Sequence, residues 1–289
     1  MSAAKSIVDL RSDTVTRPSA EMRRVIVEAE VGDAVLGDDP TATELEQVAA
    51  ELLGKEAALF FPSGTMANQT AVLVQSRPGT EVLLDAGAHL FHYEEAAAAA
   101  WAGVQLRGVA SDRGVPDIET VSGAFRPASP YVPEASLYCI ENTHNSGGGR
   151  VVPLDLVARI SEIARGNGVA VHMDGARLPN AAVSHGIPMR KWAEHVDTVM
   201  VSLSKGLGAP IGSVLAGSDE VMRRAWRVRR RLGGGMRQVG LIAAAGLYAL
   251  RHNLDRLADD HRRAMRLASL AAEIPGITVG EPETNIVML

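Results

Sequence analysis

Residues 137–177 read LYCIENTHNSGGGRVVPLDLVARISEIARGNGVAVHMDGAR, and this stretch decides the fold. Two short apolar runs, Leu137–Ile140 and Val169–Met173, have the length of buried strands and are bounded by turn residues. Between them Leu156, Val157, Ile160, Ile163 and Ala164 recur at helical spacing, and Gly166 or Gly168 ends the pattern. Strand, helix, strand at this spacing is a βαβ unit. Repeated along a chain, such units build a largely parallel sheet.

Outward from this unit the alternation continues. Ala57–Phe61, Val82–Leu84, Thr198–Val201 and Ser213–Leu215 read as further strands, and Met66–Gln75 as a helix. Thr43 followed by Glu46 reads as a capping box opening a helix whose buried face is Leu45, Val48, Ala49, Leu52 and Leu53, with Gly54 as its stop. From about Ala243 the pattern is helical, and after Pro275-Gly276 it becomes two strand-like pieces ending at Leu289. The expectation is an α/β protein with a large domain over 1–242 and a smaller unit over 243–289. In open sheets of this class the chemistry gathers at the C-terminal ends of the strands.

Composition narrows the function. The 289 residues are 46% hydrophobic, enough to bury a core, and the net charge of −5 gives no bulk attraction to nucleic acid or anionic membrane. The run Arg227, Arg229, Arg230, Arg231 lacks interleaved aromatics and reads mostly as a solvated helix face. Cys139 is the single cysteine, so no internal disulfide forms and no zinc-ligand spacing exists around it; no metal is expected. Met1–Lys5 has no apolar leader core, and no run of about 18 apolar residues could span a bilayer, so the expected compartment is the cytoplasm. Lysine is scarce: of 29 basic residues only Lys5, Lys55, Lys191 and Lys205 are lysines.

Three strand ends carry polar residues. Pro62-Ser63-Gly64-Thr65 lies between a strand and a helix, where free N–H groups, a dipole end and a hydroxyl suit a phosphate; an ordinary capped turn would use the same residues. Asp174 ends the strand His172-Met173-Asp174, with Arg177 three residues on, which a structural ion pair would equally explain. Lys205 follows a strand on the turn Ser202-Leu203-Ser204-Lys205-Gly206-Leu207-Gly208. A lysine placed where burial is costly makes sense if the neutral amine is wanted as a nucleophile. Neither a GxxxxGK[ST] loop nor a GxGxxG fingerprint is present. Taken together, a lysine for an aldehyde, an acid for a ring nitrogen and a donor cup for a phosphate are what pyridoxal 5′-phosphate needs.

At this point the chain resembles the low-specificity L-threonine aldolases. The resemblance rests on Val8-Asp9-Leu10-Arg11-Ser12-Asp13-Thr14-Val15-Thr16-Arg17-Pro18, Gly32-Asp33 with Gly37-Asp38-Asp39-Pro40-Thr41, Pro62–Asn68, Glu141-Asn142-Thr143-His144-Asn145, His172–Arg177, Ser202–Pro210 and Gly233-Gly234-Gly235-Met236-Arg237-Gln238, in order from about residue 7 onward. It implies a fold-type-I pyridoxal-phosphate lyase, usually a homotetramer, that converts L-threonine or L-allo-threonine to glycine and acetaldehyde. By resemblance Lys205 is the lysine that carries the cofactor, Asp174 pairs with its ring nitrogen, and Gly64 and Thr65 hold its phosphate. His89 stacks on the ring near the substrate hydroxyl, where it is the candidate base. Ser12 and Arg177 hold the substrate carboxylate, and Arg230 and Arg237 lie near the phosphate of a neighbouring subunit. His144 sits in a matched motif without an assigned role, and His92 and His172 are likewise unassigned.

The family pattern usually continues well past Thr284-Asn285, whereas this sequence ends at Leu289, on what reads as the first strands of the small domain. Two alternatives therefore stand beside the aldolase expectation. One is a β-eliminating lyase of the same fold, and the other a cofactor-binding form with little activity.

Overall fold

The computed structural model describes residues 8–127 and 129–289; Lys5 and the leader reading of Met1–Lys5 lie outside the described residues. Seven strands form one sheet: β1 (Ala57–Phe61), β2 (Glu81–Asp85), β3 (Gln105–Val109), β4 (Ala135–Glu141), β5 (Ala170–Asp174), β6 (Thr198–Ser202) and β7 (Ser213–Gly217). Their spatial order is β1-β7-β6-β5-β4-β2-β3. Only β7 runs against its neighbours β1 and β6, and every other pairing is parallel. The ends of β1, β2, β4, β5 and β6 therefore open on the same edge. The strand β3 went unread because QLRGV is half polar, which suits its place at the edge of the sheet.

Helices cover both faces: α1 (Ala20–Val27), α2 (Pro40–Leu53), α3 (Gly64–Gln75), α4 (His89–His92), α5 (Ile118–Ala124), α6 (Leu154–Gly166), α7 (Leu178–His185), α8 (Met189–Ala193), α9 (Asp219–Arg231), α10 (Gly240–His252) and α11 (Leu257–Ala272). The alanine run contributes a π-helical turn at Ala98–Ala102. No helix among the described residues is long and apolar enough to cross a membrane.

Two local expectations are corrected. Helix α2 begins at Pro40, three residues before the expected box: the Asp39 carboxylate accepts the Ala42 N–H at 2.9 Å and caps the helix. Proline at the first helical position is already shaped for that start. Glu46 turns inward, where it accepts the Phe60 N–H at 2.8 Å and faces Arg229 at 3.2 Å, so Arg229 is the buried exception in the arginine run.

The C-terminal part also differs. The helical pattern is broken at Asn253–Arg256, and α10 puts Ala243, Ala245, Leu247, Ala249 and Leu250 into the main core, so packing runs across the expected boundary at 242/243. The two strand-like pieces after Gly276 form no β-ladder. A strand needs a neighbour for its backbone groups, and here side chains anchor the segment instead. Glu283 Oε2 accepts the Val151 N–H at 2.9 Å, and Thr284 Oγ1 donates to the Gly149 carbonyl at 2.7 Å. Gly149 sits at φ +73°, and a Cβ there would lie 2.6 Å from Thr284 Oγ1, so only glycine lets the segment dock this closely.

Candidate active site

The shared strand edge encloses a cavity of about 340 Å³ whose lining includes Gly64, Thr65, His89, Asp174 and Lys205. Five expected site residues, separated by up to 141 positions in sequence, thus meet in one place.

Asp174 is the last residue of β5, in the middle of the sheet, and is 3% exposed. Its Oδ2 accepts from Asn68 Nδ2 at 2.8 Å and its Oδ1 from the Ala176 N–H at 3.1 Å. Both donors are neutral, so the carboxylate keeps its charge for whatever cation faces it from the cavity.

Lys205 lies on the loop between β6 and β7. Burial lowers its pKa, the Arg177 charge lowers it further, and Asp174, Asp13 and Glu141 only partly offset this. A depressed ammonium pKa makes the free amine more available for attack on a carbonyl carbon. Across the cavity α3 starts at Gly64, capped by Ser63 Oγ accepting the Met66 N–H at 3.2 Å. The first-turn amides of an α-helix have no intrahelical acceptor, and together with the Thr65 hydroxyl they suit an anion.

His89 opens α4, just past the end of β2. Its N–H donates to Glu141 Oε2 at 2.7 Å, and its ring Nδ1 lies 3.1 Å from Glu94 Oε1. That hydrogen bond raises the His89 pKa, outweighing burial, with the Asp174 and Glu94 charges adding to it. Glu94 is fully buried and also accepts from Asn68 Nδ2 at 2.9 Å and Gln69 Nε2 at 2.6 Å. Ligand atoms of His89, Glu94 and Asp174 lie within 4.8 Å of one another, but amide donors already occupy oxygens of both carboxylates, which marks the group as a hydrogen-bonded network.

The sequence reading missed Asn68, Glu94 and Glu141. Asn68 had a signal, standing four residues after Gly64 and hence on the same helix face. Glu94 had none: its neighbours Tyr93 and Glu95 are exposed, and nothing in their order shows that it turns inward.

The remaining candidates fall outside the cavity lining. Ser12 Oγ accepts the Thr14 N–H at 3.2 Å. Arg177 is 5% exposed, its fork engaged by Asp13 and its Nη1 donating to Asn145 Oδ1 at 2.9 Å. Arg230 borders a separate cavity near Glu46 and Trp226, and Arg237 pairs with Asp33 at 2.7 Å; both are exposed. His144 is buried against Asp85 at 3.0 Å, His172 is buried between Thr198 and Asn68, and His92 meets the Ala86 carbonyl at 2.7 Å.

The family model described as β-eliminating lyase matches residues 9–289. Low-specificity L-threonine aldolase 1 of Arabidopsis thaliana is 45% identical over 288 residues, covering 98% of this chain and 80% of the relative. The low specificity L-threonine aldolase of Escherichia coli strain K12 is 40% identical over 284 residues, covering 98% and 84%. A crystal structure titled as a putative L-allo-threonine aldolase from Listeria monocytogenes EGD-E superposes with a TM-score of 0.82 at 23% identity, over 94% of this chain and 77% of that one. The structural likeness carries the fold, and the sequence identity over nearly the whole chain carries the kinship. This chain belongs to the β-eliminating lyase family, among its low-specificity L-threonine aldolases.

Proposed function

We propose that this lyase holds pyridoxal 5′-phosphate in the cavity and cleaves the Cα–Cβ bond of L-threonine or L-allo-threonine to glycine and acetaldehyde. The observation that carries the reading is the convergence of a lysine with a depressed pKa, a buried carboxylate and a helix N-terminus on one cavity. When bound, the cofactor supplies an aldehyde for an amine and a protonated ring that draws electrons from the α-carbon.

The donor set fits that group. The Lys205 amine would take the aldehyde, Asp174 would pair with the ring nitrogen and favour its protonated form, and the first turn of α3 with Thr65 would hold the phosphate. Because Nδ1 of His89 is engaged by Glu94, Nε2 is the nitrogen left to take the β-hydroxyl proton. Arg177 has five N–H donors, of which Asp13 and Asn145 use three. The other two, with Ser12, are assigned to the substrate carboxylate. In a homotetramer Arg230 and Arg237 would reach a neighbouring site, which their exposure supports.

A β-elimination would use the same lysine and acid, and the family model's description favours testing it. The protein is incubated with cofactor and L-threonine or L-serine while acetaldehyde, glycine, pyruvate and ammonia are assayed together, and borohydride is used to fix the cofactor. Acetaldehyde and glycine in equal amounts, with the cofactor on the Lys205 peptide, are expected. Pyruvate and ammonia from serine would replace the aldolase reading, and failure of both reactions with cofactor still bound would leave a binding form.

A further inference from the structure

We infer that Glu94 is a positioning residue for the retro-aldol step, fixing which imidazole nitrogen of His89 faces the substrate. The inference rests on the reading of His89 as the base.

The hydrogen-bond donors determine the arrangement. Asn68 Nδ2 has two protons, one to Asp174 Oδ2 at 2.8 Å and one to Glu94 Oε1 at 2.9 Å. Its Oδ1 must then accept, and it does so from His172 Nε2 at 3.1 Å. Gln69 Nε2 donates to Glu94 Oε2 at 2.6 Å. Glu94 therefore meets two neutral amide donors, of which Asn68 is fixed by its other partners, and a single titratable partner, His89. As a carboxylate it only accepts, so His89 Nδ1 must carry the proton it shares with Glu94.

Three other charged groups surround the imidazole: Asp174 at the end of β5, Lys205 on the loop after β6, and Glu141 at the end of β4, which accepts the His89 N–H. Asp174 and Lys205 are committed to the proposed cofactor, and both oxygens of Glu141 are taken by the backbone N–H groups of His89 and Asn145. Glu94 is thus the buried anion free to offset the positive charge that grows on His89. When Nε2 takes the β-hydroxyl proton, the O–H pair becomes the second bond of the aldehyde C=O as the Cα–Cβ pair departs to the α-carbon. The imidazolium left behind has its Nδ1–H on a desolvated carboxylate, where the pairing is stronger than in water.

The test is Glu94→Gln beside His89→Asn in the cofactor-loaded enzyme. Glutamine keeps the size, and Gln69 Oε1, buried without a partner among the described residues, lets that amide turn to donate or accept as needed. Two quantities are read: kcat for L-threonine against pH, and the pH midpoint of His89 modification by diethyl pyrocarbonate, followed by peptide mass spectrometry. E94Q is expected to lower kcat about 100-fold and to move the His89 midpoint down by about one pH unit. An unmoved midpoint with near-normal kcat overturns the inference while leaving the aldolase reading intact, provided H89N is crippled. If H89N itself keeps normal turnover, the base reading fails and this inference with it. Should E94Q not fold, Glu94→Asp decides: the charge stays and the reach shortens by one methylene, so kcat falls with the midpoint held, and an unchanged kcat is the overturning result.

Discussion

Asp13 and Arg177, 164 positions apart, meet in a buried bidentate pair, with Oδ1 to Nη2 at 2.7 Å and Oδ2 to Nε at 2.9 Å. The Arg177 contact holds the Asp13 pKa below the usual carboxylate range although burial pulls the other way. Asn285, from the C-terminal segment, donates to the same Oδ2 at 3.0 Å. One carboxylate thus ties the N-terminal segment, the strand-end arginine and the chain's last residues together beside Lys205.

Removing that carboxylate strands a guanidinium in a dry site. Asp13→Ala is expected to cost about 3–5 kcal/mol of unfolding free energy in urea titration. It should also raise KM for L-threonine about tenfold or more, because Arg177 loses the partner that aims it. A destabilisation below 1 kcal/mol would show that water replaces Asp13 at no great cost.

Asp174→Asn keeps the size of the side chain at the end of β5 but removes the charge and turns one of its two acceptors into a donor. Cofactor uptake, followed by visible absorbance, should persist, while turnover falls about 100-fold or more through loss of a preorganised charge. Near-normal turnover would assign Asp174 to structure alone.

The unassigned His172 reports on acid stability. Burial pushes its pKa down to about 4, against about 6.5 in an unfolded chain. Between those values the unfolded state binds a proton that the native state refuses, so stability falls as pH drops from about 6.5 to 4, by about 3 kcal/mol. Below pH 4 this contribution no longer changes. His172→Asn should flatten that slope, whatever it does to stability at pH 7, and parallel urea titrations at several pH values will show it.

Arg230 carries a prediction about assembly. If it serves a neighbouring site, mixing inactive K205A with R230A after subunit exchange restores about a quarter of the sites by random pairing. An arginine acting within its own chain restores none. Light scattering on the same samples gives the size of the assembly.

Much of the candidate site was legible because open parallel sheets gather polar residues at the C-terminal ends of their strands. Asp174 and Lys205 each end an apolar run, and the Ser63-Gly64-Thr65 turn joins a strand to a helix. The start of α2 was misplaced because Thr43 and Glu46 imitate a capping box, while Asp39 satisfies the first amide and Glu46 is drawn to Phe60 and Arg229 across the core. The C-terminal pieces misled in a similar way. Alternating apolar residues describe a strand's side chains, but a ladder also requires a neighbouring backbone, and the segment is held by Glu283, Thr284 and Asn285 instead.

The amino-acid order alone determined the α/β class, the mostly parallel sheet and the edge on which a scarce lysine, an acid and a helix start would gather. These follow from hydrophobic period and turn chemistry, which are local properties of the chain. Tertiary structure decided the rest. It turned Glu94 inward onto His89, filled the Arg177 fork with Asp13, and made Asn68 the bridge between two carboxylates. Hydrogen bonds of this kind join residues from 5 to 164 positions apart, and their partners are chosen by burial and donor geometry. No local pattern in the sequence encodes that choice.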